Sequence, residues 1–192
     1  MRGLAAWAAA MLAGVALGVG SAWAALGIGG AGLQERLGDW SYSRAAGSTT
    51  ADPYTRAIVA REGLLALSRR EALYYTLDRD ADGRRLSEGC IYELSGMQPQ
   101  ARWWSVTLYA SDDFLARNND HAESVDASSL TVSTLWRVRV APVKGDATHW
   151  LSSRGAGRNF SLMLRIYNPD DGWRPSAETM PTLSRLSCGD RR

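Results

Sequence analysis

Ala101–Ala110 reads ARWWSVTLYA and Phe160–Pro169 reads FSLMLRIYNP, and the period of these two stretches decides the fold. In the first, Trp104, Val106 and Leu108 fall on one side and Trp103, Ser105, Thr107 and Tyr109 on the other, because successive strand residues point to opposite faces. In the second, Phe160, Leu162, Leu164 and Ile166 supply a matching apolar face. The same alternation spreads outward. Leu130, Val132, Trp136, Val138 and Val140 point inward across Leu130–Val140, with Arg137 and Arg139 outward. Leu73, Tyr75 and Leu77 form another such run, as do Cys90, Tyr92 and Leu94 against Ile91 and Glu93, and the polar turn between them predicts a hairpin. Five alternating segments predict a mainly β domain, an antiparallel β-sandwich or jelly-roll-like fold with one packed α-helix. That helix is expected from Asp52-Pro53, a carboxylate cap followed by proline in the first turn, through Ile58, Leu64 and Leu65 to about Leu67. It is the expected cover for the face carrying Trp103 and Tyr109.

The amino terminus has a different composition. From Gly3 to Leu33 no side chain is charged, a run of 31 residues where roughly 20 suffice to cross a bilayer core. Trp7 and Trp23 stand about 24 Å apart along a helix, a fair spacing for an interfacial aromatic belt. Residues 1–33 therefore read as a transmembrane anchor, with a cleaved secretory signal ending at Ala22-Trp23-Ala24 as the alternative. The apolar run continues past that site through Ala25, Leu26 and Ile28, which favours the anchor. Both readings export the remainder, and Arg2 at the start places the carboxy-terminal part in the periplasm of a single-pass inner-membrane protein. Ala6, Ala10, Gly14, Gly18 and Ala22 recur every fourth residue, so Gly14 and Gly18 are a candidate homodimer seam, although alanine and glycine are abundant throughout. Residues 34–51, rich in glycine and serine, read as a linker, and 52–192 as one domain.

Beyond these patterns, Asp52-Pro53-Tyr54-Thr55-Arg56-Ala57, Asp113-Phe114-Leu115 and Asn118, taken with the two strands quoted first, resemble the domain of unknown function 1214 (DUF1214) from about Asp52 to Cys188. The resemblance implies a bacterial envelope-associated β-rich domain and no particular reaction. Relatives often carry it after the domain of unknown function 1254, where this chain has its apolar segment. His149 before Trp150-Leu151 and Ala122-Glu123-Ser124 after Asn118 depart from the family pattern, and both departures fall in expected loops.

Charge excludes one class of partner. With 22 basic and 20 acidic residues the chain carries no basic footprint for nucleic acid. Asp78-Arg79-Asp80-Ala81-Asp82-Gly83 copies the front half of a calcium loop, yet Gly89 stands where the bidentate glutamate belongs, so a turn explains it without an ion. His121 has Asp120 and Glu123 beside it but no zinc spacing, and no metal or other cofactor is expected. Gly155-Ala156-Gly157 reads as a turn rather than a nucleotide loop, and no catalytic motif is present. Cys90 and Cys188, the only cysteines, are expected to pair if exported; the alternative is a small core residue and a loose tail thiol.

The expected function is a membrane-tethered binding or scaffold module whose partner is an envelope protein, glycan or lipid component. Its candidate binding residues are Trp103, Tyr109, Asn118, His121, His149 and Trp150. The rival is a glycan hydrolase, which needs two carboxylates facing across a cleft, with Asp112 or Asp113 and Glu123 as nominees.

Overall fold

A computed structural model describes residues 2–32, 34–43, 67–130 and 135–189, with Ser48, Ala51, Pro53, Arg56, Ala57 and Ala60. The amino-terminal helix and the β-domain belong to separate compact units and are taken in turn.

Helix α1 runs from Arg2 to Gly32. Within it, Ala5–Ala24 is a 20-residue stretch of mean hydropathy 1.6 in which no residue is buried in the protein. At about 1.5 Å per residue it is long enough for a bilayer core. Trp7, Met11, Leu12, Val15, Leu17 and Trp23 are exposed, a composition that water penalises and hydrocarbon does not. Open space lies beside Gly14 and Gly18, so this side of the helix is bare backbone.

Among the described residues the β-domain has ten strands: β1 Gln34–Leu37, β2 Trp40–Ser43, β3 Ala72–Leu77, β4 Cys90–Met97, β5 Ala101–Tyr109, β6 Ser124–Asp126, β7 Leu135–Ala141, β8 Trp150–Ser152, β9 Ser161–Pro169 and β10 Thr182–Cys188. They form a six-stranded sheet in the order β1-β2-β3-β9-β5-β6 and a four-stranded sheet in the order β10-β4-β7-β8. From β2 to β6 across the larger sheet and from β10 to β7 in the smaller one the pairing is antiparallel, whereas β7 and β8 run parallel. The two stretches that decide the fold are neighbours at the centre of the larger sheet, with Val106 opposite Leu164 and Leu108 opposite Leu162.

One core fills the space between the sheets. Trp104, Val106, Leu108, Leu162, Leu164 and Ile166 come from the larger sheet; Tyr92, Leu94, Trp136, Val138, Val140, Leu151 and Leu183 come from the smaller. At its centre the indoles of Trp104 and Trp136 stack with centroids 4.9 Å apart. Both ring nitrogens are satisfied, Trp104 donating to Gln98 Oε1 at 2.7 Å and Trp136 to the Met97 carbonyl at 3.0 Å, so neither burial leaves an orphaned donor. Gly96 faces Trp136 in the β4–β7 ladder, and a Cβ there would lie 2.8 Å from the indole. Glycine is what lets that ring lie flat on β4.

Three expectations are corrected. The runs Leu73–Leu77 and Cys90–Leu94 do not make a hairpin: β3 pairs with β2 and β9 in one sheet, β4 with β10 and β7 in the other. The polar stretch between them crosses from sheet to sheet. The expected linker 34–51 begins as two strands, β1 and β2, and Trp40 is fully buried with its indole donating to the Pro181 carbonyl at 2.6 Å. The strand expected over Leu130–Val140 is described as β7 from Leu135 onward; Leu130 itself is buried but is not in a strand, and residues 131–134 lie outside the described residues. The helix expected from Pro53 to Leu67 falls for the most part outside them as well.

The carboxy-terminal strand is pinned twice. Cys188 is disulfide-bonded to Cys90, its register partner on β4, across a sequence separation of 98. Asp80, buried in the crossover, accepts the amides of Asp82 and Arg84 and forms an ion pair at 2.6 Å with Nε of Arg185 on β10. Asp78 is held by Arg85 at 2.6 Å. The carboxylates resembling a calcium loop thus have protein partners, and among the described residues no group of three His, Cys, Asp or Glu side chains is placed to hold a metal ion.

Candidate functional site

Leu73, Tyr75 and Leu77 share the core-facing side of β3, but only Leu77 at its far end is completely sealed. Near the start of the strand, half-buried Leu73 opens into a cleft of about 710 Å³. Its floor is apolar: Leu73, Leu37 from β1, Tyr42 from β2 and buried Tyr75. The Tyr42 and Tyr75 rings meet at 5.5 Å with planes tilted by 51°, and the Tyr42 hydroxyl donates to Glu35 Oε2 at 2.8 Å. Burial, then the neighbouring Tyr42 phenol, push the Tyr75 hydroxyl up to about 12 against the opposing pull of Arg69, so it stays a neutral donor at physiological pH.

The rim is charged and comes from two loops. Arg69 and Arg70 sit in the turn before β3; Asp170, Asp171 and Arg174 sit in the loop after β9. The first turn is built by Ser68, whose amide and hydroxyl donate to Glu71 Oε2 at 3.1 and 2.7 Å. The second is closed by the Trp173 amide on the Asp170 carbonyl at 3.0 Å and held to the connection just before β5 by the Asp170 amide on the Gln100 carbonyl at 2.9 Å. One bond clasps the two: the Asn168 amide donates to the Glu71 carbonyl at 2.7 Å. The spacing between the arginine-bearing loops is therefore set by backbone, not by side-chain chance.

The sequence-nominated residues do not converge. Trp103 and Tyr109 share the outer face of β5 but lie at its two ends, about 20 Å apart. Trp103 packs on Tyr167 at 5.4 Å; Tyr109 lies beneath Arg165, which donates to its hydroxyl at 2.5 Å. Asn118 donates to the Arg154 carbonyl at 2.6 Å and accepts the Asp120 amide, while Asp120 binds Ser152 and Arg154. This network fastens the segment before β6 to the end of β8. His121 follows it, exposed and with φ of 52°. Trp150 donates its indole to the Ala141 carbonyl at 2.8 Å, and His149 lines a shallower groove of about 570 Å³ with Arg137 and Arg139 on the smaller sheet. Arg139 there holds Asp146 below the ordinary carboxylate range. Asp112, Asp113 and Glu123 line neither the cleft nor the groove. Gly155, with φ of 76°, and Gly157 confirm the turn expected between β8 and β9; a Cβ on Gly155 would sit 2.9 Å from the Arg117 carbonyl.

None of the cleft's arginines was singled out from sequence. The signals present were the Arg69-Arg70 and Asp170-Asp171 pairs abutting strands, which by themselves look like solvated turns.

A two-sheet β-domain with an apolar-floored, charge-rimmed cleft, on a chain that begins with a helix long and apolar enough to span a membrane, is the class these features define. The model for DUF1214, a family of proteins of unknown function, matches residues 71–171, more than half of the chain, and the chain belongs to that family. Among solved structures it is similar to the VPA0106 protein from Vibrio parahaemolyticus, with a TM-score of 0.58 at 21% identity over 72% of this chain and 36% of that one. It is also matched to a putative uncharacterized protein from Burkholderia cenocepacia, with a TM-score of 0.43 at 15% identity over 60% of this chain and 29% of the other. The chain thus spans about a third of the length of these proteins. No curated protein matches. Leu37, Tyr42, Arg69, Arg70, Arg174 and Pro175 lie outside the family-matched residues, so more than half of the cleft lining is beyond what the family model describes.

Proposed function

We propose that the protein is a binding module tethered to the inner membrane by α1, with its β-domain in the periplasm, and that it binds an envelope component in the cleft between β1–β3 and the loop after β9. The observation that carries this reading is the cleft itself: about 710 Å³ of concave space with an apolar floor and a polar rim, within the range of about 300–1,000 Å³ typical of small-molecule sites. The helix and the disulfide support this location, since a bridge such as that between Cys90 and Cys188 persists in an oxidising compartment. A glycan hydrolase is less well supported because its nominated carboxylates stand outside the cleft.

The test is to incubate the purified full-length chain with detergent-solubilised envelope, identify retained small molecules by mass spectrometry, and repeat with Leu73→Trp, which fills the floor. One molecular class retained by the wild type and absent from the variant is expected. Equal retention by both would refute the cleft as the site.

A further inference from the structure

We propose that the cleft takes a net-anionic phospholipid from the chain's own bilayer, with the start of an acyl chain on Leu37, Leu73 and Tyr42 and the phosphate held between Arg70 and Arg174. This rests on the cleft being the ligand site.

The lining asks for a ligand in two parts. An entirely polar ligand would displace water from Leu37 and Leu73 without covering them, and an entirely apolar one would desolvate Arg70 and Arg174 without meeting their charge. An amphiphile satisfies both. The rim carries Arg69, Arg70 and Arg174 with Asp170 and Asp171, and Glu35 is engaged by the Tyr42 hydroxyl, so recognition rests on the placement of Arg70 and Arg174 rather than on net charge. Guanidinium groups offer paired N–H donors that match phosphate oxygens, and the Asn168–Glu71 clasp holds their loops at a fixed separation.

A sugar fits less well. Stacking needs an open aromatic face, whereas Tyr75 is buried and Tyr42 is tilted against it by 51°. The neutral Tyr75 phenol adds no negative charge to the site. Leu37 follows Gly32, the last helical residue, by only five positions, and so short a tether makes bilayer lipid the amphiphile of highest effective concentration. The volume accommodates a head group and the first part of a chain, with the remainder left in the membrane or in detergent.

Native mass spectrometry of the full-length chain, released from a mild detergent, tests this with three probes: phosphatidylglycerol, phosphatidylcholine and inorganic phosphate. Three variants accompany the wild type: the doubly substituted Arg70→Gln/Arg174→Gln, exposed and harmless to the core, and the floor-filling Leu73→Trp and Leu37→Trp. At least tenfold preference for phosphatidylglycerol, lost in the arginine variant and in either floor variant, is the expected result. Equal binding of both lipids, abolished by the floor variants alone, would leave the cleft standing and overturn the anionic head group. Inorganic phosphate binding as tightly as phosphatidylglycerol would overturn the lipid. Lipid binding that no variant alters would overturn the cleft as well.

Discussion

The indole of Trp104 on β5 stacks on that of Trp136 on β7 at 4.9 Å and an interplanar angle of 27°, joining the two sheets through one aromatic pair. Trp104 is 1% exposed, whereas its neighbour Trp103 lies half-buried on the opposite face. Trp104→Ala should therefore cost about 3–5 kcal/mol of unfolding free energy, and Trp103→Ala much less. Denaturant melts of the two variants check the assignment; equal losses would mean the faces are reversed.

Cys90 and Cys188 stand opposite each other in the β4–β10 ladder. A bridge closing a loop of this length, 98 residues, is worth up to about 4.7 kcal/mol in the chain-entropy model. Replacing both by serine should lower the denaturation midpoint and loosen β10, whose only buried side chain is Leu183. Thiol labelling of the unfolded, unreduced protein should find no free thiol.

Tyr75 predicts a loss of stability at high pH. The unfolded phenol ionises near about 10, while burial holds the folded one up to about 12. Between those values the unfolded state binds fewer protons than the folded state, so stability falls as pH rises through the window and is unaffected below it. Tyr75→Phe should flatten the decline in melts across the window from about 10 to about 12 and remove one high-pH step of the tyrosinate absorbance titration. A decline of unchanged size would contradict the assignment.

Strand faces were legible because burial imposes a period of two: Trp104, Val106 and Leu108 point inward as their alternation requires. The disulfide was legible because only two cysteines exist in the chain. Pairing was not. Nothing local distinguishes a hairpin from a crossover, and Leu77 and Cys90, only a polar turn apart, enter different sheets. β1 and β2 were hidden because four-residue strands such as Gln34–Leu37 and Trp40–Ser43 are too short to show a period, though Trp40 amid small polar residues was a usable sign. The cleft was invisible for a related reason. Its lining comes from β1, β2, the turn before β3 and the loop after β9, and only their pairing through β3 and β9 brings these together.

For placement, the chain should remain with the inner membrane after a carbonate wash, and protease should reach the β-domain only once the outer membrane is opened. A mature protein beginning at Ala25 and recovered from the soluble periplasm would show that α1 is a cleaved leader.

Hydrogen–deuterium exchange of the full-length chain, with and without the envelope fraction it retains, tests the central claim most directly. Protection confined to residues 37–42, 69–75 and 169–175 is the predicted result, because β1, β2 and β3 form the floor of the cleft and the two loops its mouth. Protection centred instead on residues 135–149, or no protection at all, would contradict it.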